Sequence, residues 1–141
     1  MEHPGDRAVT SSQPAMLLRS VVLDCPDPLS LAAFYGGLLG GQVSSDDLDW
    51  CELALDHPAM KIAFQRVLRY ERPEWPGGVP QQLHLDVAVT DLAAASARAV
   101  ALGATVLGDP VAEEGGVFMV HADPAGHPFC FVVDQGSKPP T

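Results

Sequence analysis

With 141 residues, 47% of them hydrophobic, the chain is sized for one domain that buries roughly two thirds of its unfolded surface. Eight Lys+Arg against 18 Asp+Glu give a formal net charge of −10. This argues against a nucleic-acid partner, whose binding draws on clustered basic residues, and suits a cationic ligand or simply solubility.

In chain order, residues 1–15 (MEHPGDRAVTSSQPA) read as a flexible tail, with no apolar core after a basic start. No later run reaches the ~18 apolar residues of a membrane span, so no membrane partner is expected. Cys25, Cys51 and Cys130 show no CxxC or Cys/His ligand spacing, which fits a reducing cytoplasm.

The first structured stretch, LRSVVLDCPDPLSLAAFYGGLLGGQV (18–43), is an alternating strand, then Asp27 as N-cap and Pro28 at the first helical position. Leu31, Phe34, Leu38 and Leu39 form the apolar stripe of the helix, and Gly40-Gly41 ends it. Strand-like segments follow at 42–44, 49–55 and 61–67. ERPEWPGGVP (71–80) is rich in Pro and Gly, extends neither neighbour, and marks a boundary.

The pattern then repeats in QLHLDVAVTDLAAASARAVALGATV (82–106): a strand, an Asp91 cap, a stripe of Leu92, Ala95, Ala99 and Leu102, and a Gly103 stop. Segments at 104–107, 117–121 and 129–134 complete it, and residues 135–141 read as a second tail. Two βαβββ modules result, module one at 16–70 and module two at 81–134, within a single α+β domain (16–134). Each module buries one sheet face against its helix, so the pair forms an incomplete barrel around a shared cleft.

Within LHLDVAV (83–89), alternation sends Leu83, Leu85 and Val87 to the helix side and His84 and Asp86 to the cleft side. Ser20, Val22 and Asp24 face inward on the equivalent first strand. Lys61, Ala63 and Gln65 share a face opposite Ile62 and Phe64.

Three stretches, VVLDCPDPLSLAAFYGGLLGG, LHLDVAVTDLAAASARAVALGA and HADPAGHPFCFVV, resemble the vicinal oxygen chelate superfamily, specifically glyoxalase-like and bleomycin-resistance-like domains. In the last, Asp123-Pro124-Ala125-Gly126 has the residues of a type I turn. The resemblance covers most of 17–134 and implies the glyoxalase/bleomycin-resistance/dioxygenase fold and a homodimer. It leaves the chemistry open, because relatives include isomerases, dioxygenases and metal-free drug-binding proteins.

Metal-dependent relatives hold an ion with four inner-strand ligands, usually His, Glu or Gln, His and Glu. Carried across, the positions fall on Ser20, on Gln65 (or Ala63), on His84 and on Cys130. A catalytic metal needs about three protein ligands, and oxygen-binding ions disfavour a thiol. A divalent ion (Zn, Ni, Mn or Fe) on His84 and Gln65 is therefore the lesser reading and no cofactor the preferred one, with Asp86 or His121 as replacement ligands.

His84 is either a cleft residue or a strand histidine satisfied by hydrogen bonds, and its ligand position favours the cleft. With Asp86 orienting it, His84 would act as a metal-free general base, although side chains at i and i+2 lie about 7 Å apart. Gln65 and Ser20 face the cleft as ligand-binding candidates, and His121 is placed at the cleft rim. Cys130 lies opposite Phe129 and Phe131 and reads as a small apolar residue.

Trp75 either packs between modules or stacks on a ligand at the cleft mouth. His57 and His127 read as turn residues. No phosphate-binding Gly loop, nucleophile elbow or HExxH helix occurs. The expected function is binding of a small, partly apolar molecule in the cleft, with lyase or isomerase activity at a degenerate metal site, or a non-catalytic drug- or metabolite-sequestering role.

Overall fold

The computed structural model describes residues 18–75, 77 and 83–134, and the tails expected at 1–15 and 135–141 fall outside them. The first module runs β1 (Ser20–Cys25), α1 (Pro28–Leu39), β2 (Gln42–Ser45), β3 (Trp50–Asp56) and β4 (Ala59–Arg66). The second runs β5 (Leu85–Ala88), α2 (Leu92–Leu102), β6 (Thr105–Val106), β7 (Val111–Glu113), β8 (Gly116–Ala122) and β9 (Pro128–Asp134).

The sheets are β1-β4-β3-β2 and β5-β9-β8-β6, and in each the strand before the helix lies parallel to the last strand of its module. A parallel pair needs a long crossover, and α1 and α2 open those connections. Both helices begin as their caps dictate. The Asp27 carboxylate accepts from the Ser30 amide and the Asp91 carboxylate from the Ala94 amide, and Pro28 occupies the first turn. Gly103, in the left-handed region at φ 117°, ends α2.

The helix-facing sides of the two sheets share one core. Leu31, Phe34 and Tyr35 of α1 lie with Leu53 and Phe64 of the first sheet, and with Ala99, Phe129 and Phe131 of the second module. Strand alternation leaves the other face of each sheet to form the cleft.

The differences from the sequence reading that bear on the site lie in the second module. The strand expected at 104–107 shortens to β6, and an additional β7 pairs with β8 further along. The Gly108-Asp109-Pro110 break explains the split, since proline cannot donate to a ladder. Leu83, expected on the helix side, is 81% exposed, while Leu85 and Val87 do pack on the core. The parallel register sets Leu85 opposite Phe129. Two residues earlier the partner strand is still in the turn before β9, so among the described residues no strand position lies opposite Leu83.

Candidate functional site

His84 is carried at the entrance to β5 and Asp86 inside it, on one face. The His84 Nε2 lies 3.2 Å from the Asp86 Oδ1, so the two side chains meet despite their backbone separation. Both remain half-exposed or more, at 51% and 62%. On β9 the register sets Cys130 directly opposite Asp86. The donor atoms of His84, Asp86 and Cys130 all lie within 4.8 Å of one another. Burial, and then the Asp86 charge, push the Cys130 thiol up, so by itself it stays protonated and unreactive.

Two cavities adjoin this corner, and both are lined by His84 and Pro128. One, of about 360 Å³, follows the seam between β1 and β5 and is walled by Val22, Leu85 and Tyr70, with Asp24 and Glu71 at its edge. The other, of about 400 Å³, lies over the second sheet against Trp75, Phe118 and Val120, with Asp86, Glu113 and Cys130. Trp75, 42% exposed, thus borders a hollow.

The floor of the seam cavity is a hydrogen-bond network that sequence reasoning missed. Asp123 is fully buried. Its Oδ2 accepts from the Tyr35 hydroxyl at 2.7 Å and lies 2.7 Å from the His127 Nδ1, while its Oδ1 accepts from the Ala125 and His127 amides. The Tyr70 hydroxyl donates to the Ala125 carbonyl at 2.9 Å and sits 3.2 Å from the His127 Nε2. Burial pushes Tyr35 well above the ordinary phenol range, and burial with the Asp123 charge pushes Tyr70 up to about 12. Both hydroxyls are therefore donors. The available signal was an Asp and a His four residues apart in DPAGH.

The remaining candidates lie elsewhere. His121 is not at the rim: it is fully buried on the helix side, where the Ser96 hydroxyl lies 2.8 Å from its Nε2 and the Met119 carbonyl 3.3 Å from its Nδ1. Even-odd alternation from Cys130 across to Val120 sends the next residue, His121, to the opposite face. Gln65, paired with Asp24 and Trp50, is exposed, and Ser20 is half-buried beside Lys61. Neither lines the two cavities. On the same first-sheet face, Trp50 Nε1 donates to Glu52 at 3.2 Å and Lys61 Nζ reaches Glu52 at 3.3 Å, so these side chains satisfy one another.

A family model described as a glyoxalase-like domain matches residues 20–132. The chain belongs to this family. It is thereby a member of the vicinal oxygen chelate superfamily, with the glyoxalase/bleomycin-resistance fold. A glyoxalase-related enzyme from Fulvimarina pelagi is similar at 21% identity and TM-score 0.64, over 86% of this chain and 90% of that one. A glyoxalase/bleomycin resistance protein/dioxygenase family enzyme from Burkholderia phytofirmans is similar at 18% identity and TM-score 0.65, over 82% and 96%. A protein from Agrobacterium tumefaciens is similar at 23% identity and TM-score 0.66, over 86% and 100%. No curated protein matches the chain. No helix among the described residues is long and apolar enough to cross a membrane.

The donor chemistry does not fit the inter-module metal set that this glyoxalase-like family suggests. From the first module, Ser20 and Gln65 offer only a hydroxyl and an amide, weak ligands for a divalent ion. From the second, Cys130 replaces a carboxylate. The strong donors that remain, His84, Asp86 and Cys130, all belong to the second module.

Proposed function

We propose that this glyoxalase-like protein binds a small, partly apolar molecule bearing a positive charge in the two adjoining cavities, and that it sequesters that molecule. The pair of hollows meeting at His84 carries the reading. Each falls within the roughly 300–1,000 Å³ of small-molecule sites. The charged residues around them, besides histidine, are Asp24, Glu71, Asp86 and Glu113, and none of the described lining residues is Lys or Arg. Carboxylates set beside Trp75 and Phe118 suit a cation on a hydrocarbon frame.

A second reading, a lyase or isomerase, rests on the 3.2 Å contact between His84 and Asp86, which would orient the imidazole as a general base. We further infer a cytoplasmic setting, supported by three free, buried cysteines, and a homodimer, by likeness to the family.

The test is calorimetric titration with a panel of organic ammonium compounds and their neutral isosteres, followed by mass spectrometry of each compound after long incubation. Sequestration predicts that the cations bind more tightly than the isosteres and are recovered unchanged. His84→Ala should then cost about 1–3 kcal/mol of affinity, the worth of one buried hydrogen bond. Equal binding of cation and isostere would refute the charge preference. Conversion of a compound by the wild type, abolished in His84→Ala, would replace sequestration by catalysis.

A further inference from the structure

We infer, building on the cation-binding reading above, that the seam cavity is a strand-edge site for a short cationic peptide, taken in extended form as an added strand along β1.

The two cavities meet different parts of their sheets. The one over the second sheet is lined by every second residue, Phe118 and Val120 on β8 and Cys130 and Val132 on β9, as a hollow on a sheet face must be. The seam cavity is lined by consecutive residues, 21–24 of β1 and 83–85 at the entrance to β5. Successive side chains point to opposite faces, so only a hollow running along the edge of a strand, against its backbone, meets them all. β1 and β5 are outer strands of separate sheets, and no ladder joins them among the described residues.

Bonds at the strand ends fix which backbone groups are free. The Cys25 carbonyl accepts from the Val67 amide, on the β4 side, at 2.9 Å. A residue turns its N–H and C=O to one side of a strand and its neighbour to the other, so Asp24 and Val22 turn theirs toward the seam. The Val89 amide donates to the Val132 carbonyl of β9 at 2.9 Å, and the same count back along β5 turns His84 to the seam. An open edge of this kind is a template for an extended guest whose own amides complete the ladder.

Four strand residues span about 10 Å, the reach of roughly three guest residues. A hollow of about 360 Å³ suits a guest of that size and is too small for a protein strand. Asp24 and Glu71 set its charge: both border the cavity, and neither has an ion-pair partner among the described residues. Val22 and Leu85 give its side chains apolar contact.

The probes are the tripeptide amide Val-Lys-Val with a free N-terminus, its analogue methylated at the internal backbone nitrogens, and pentylammonium, a cation without amides. Calorimetry on the full-length protein reads affinity, and NMR reads hydrogen exchange of the protein amides. The tripeptide should bind about tenfold or more tighter than its methylated analogue of equal charge. The Val22 and Asp24 amides should exchange fast in the free protein and gain protection when the tripeptide binds. Val22→Pro removes an edge N–H without touching the β1–β4 ladder, and should shrink the tripeptide's margin where Val22→Thr keeps it. Asp24→Asn and Glu71→Gln should each weaken the tripeptide about three- to fivefold. Far-UV circular dichroism checks that each variant is folded, and the two peptides compared on the wild type decide the matter even if Val22→Pro is not. Pentylammonium binding with no advantage of the tripeptide over its methylated analogue, or with no protection gained at Val22 and Asp24, overturns the edge site and leaves the cation reading standing. Binding of neither pentylammonium nor the tripeptide overturns both.

Discussion

His121 exchanges its hydration for Ser96 and for the rings of Phe129 and Phe131, at 5.5 and 5.0 Å, and this burial holds its imidazole below the ordinary histidine range. A base whose folded pKa is depressed supports the fold fully above its unfolded value, near 6.5. That support is lost as pH falls from there toward the folded value, because the unfolded chain takes up a proton that the native one refuses. Urea midpoints should therefore fall below about pH 6.5, with a slope of up to ~1.4 kcal/mol per pH unit from this residue. In His121→Gln that share of the slope should vanish, and an unaltered slope would refute the assignment. Tyr35→Phe tests the other buried group. It removes a donor to Asp123, and the exposed cost should be about 1–3 kcal/mol by chemical denaturation. At this scale the sequence was half legible. Alternation placed His84 and Asp86 on one face and Cys130 opposite Phe129 and Phe131, but nothing local announces that Tyr35 meets an aspartate 88 residues away, or that His121 falls on the core side.

The helices were the most legible elements, because a cap is a local contract: Asp27 and Asp91 need only an amide three residues on, and both find it. The β8–β9 turn was legible in outline. Asp123-Pro124-Ala125-Gly126 closes with the Gly126 amide on the Asp123 carbonyl at 2.9 Å, and Gly126 then takes φ 97°. The reason for that glycine was not visible, since a Cβ there would meet the Arg72 side chain at 2.5 Å, from the distant connector. Gly126→Ala should accordingly cost about 1–2 kcal/mol from the left-handed backbone alone, with any displacement of Arg72 added. A denaturation midpoint equal to that of the wild type would show that the turn relaxes freely. Short β7 escaped detection because three residues, Val111–Glu113, are too few to display a period of two.

Across the whole molecule, two modules that look separable along the chain are joined by a common interior. The Phe34 ring of α1 lies 6.0 Å from Phe129 of β9, and Tyr35 lies between Phe64 of the first sheet and Phe129 of the second, at 5.9 and 6.4 Å. From the stretch after β4, the Tyr70 hydroxyl reaches the Ala125 carbonyl and Arg72 donates to the Pro124 carbonyl at 2.7 Å, so the end of the first module and the connector also grip the turn that precedes β9. Neither sheet can open without exposing these rings and stranding the buried Asp123. The modules should therefore unfold as one unit, although each has its own sheet and helix. Native-state hydrogen exchange read residue by residue makes this decisive, with central amides of β3 and β9 expected to share one opening free energy. Phe34→Ala, a cavity mutation costing about 3–5 kcal/mol, should lower both by the same amount, although Phe34 belongs to the first module alone. If β9 kept its protection while β3 lost it, the second module would be a folding unit of its own. The corner of His84, Asp86 and Cys130 would then depend only on that module.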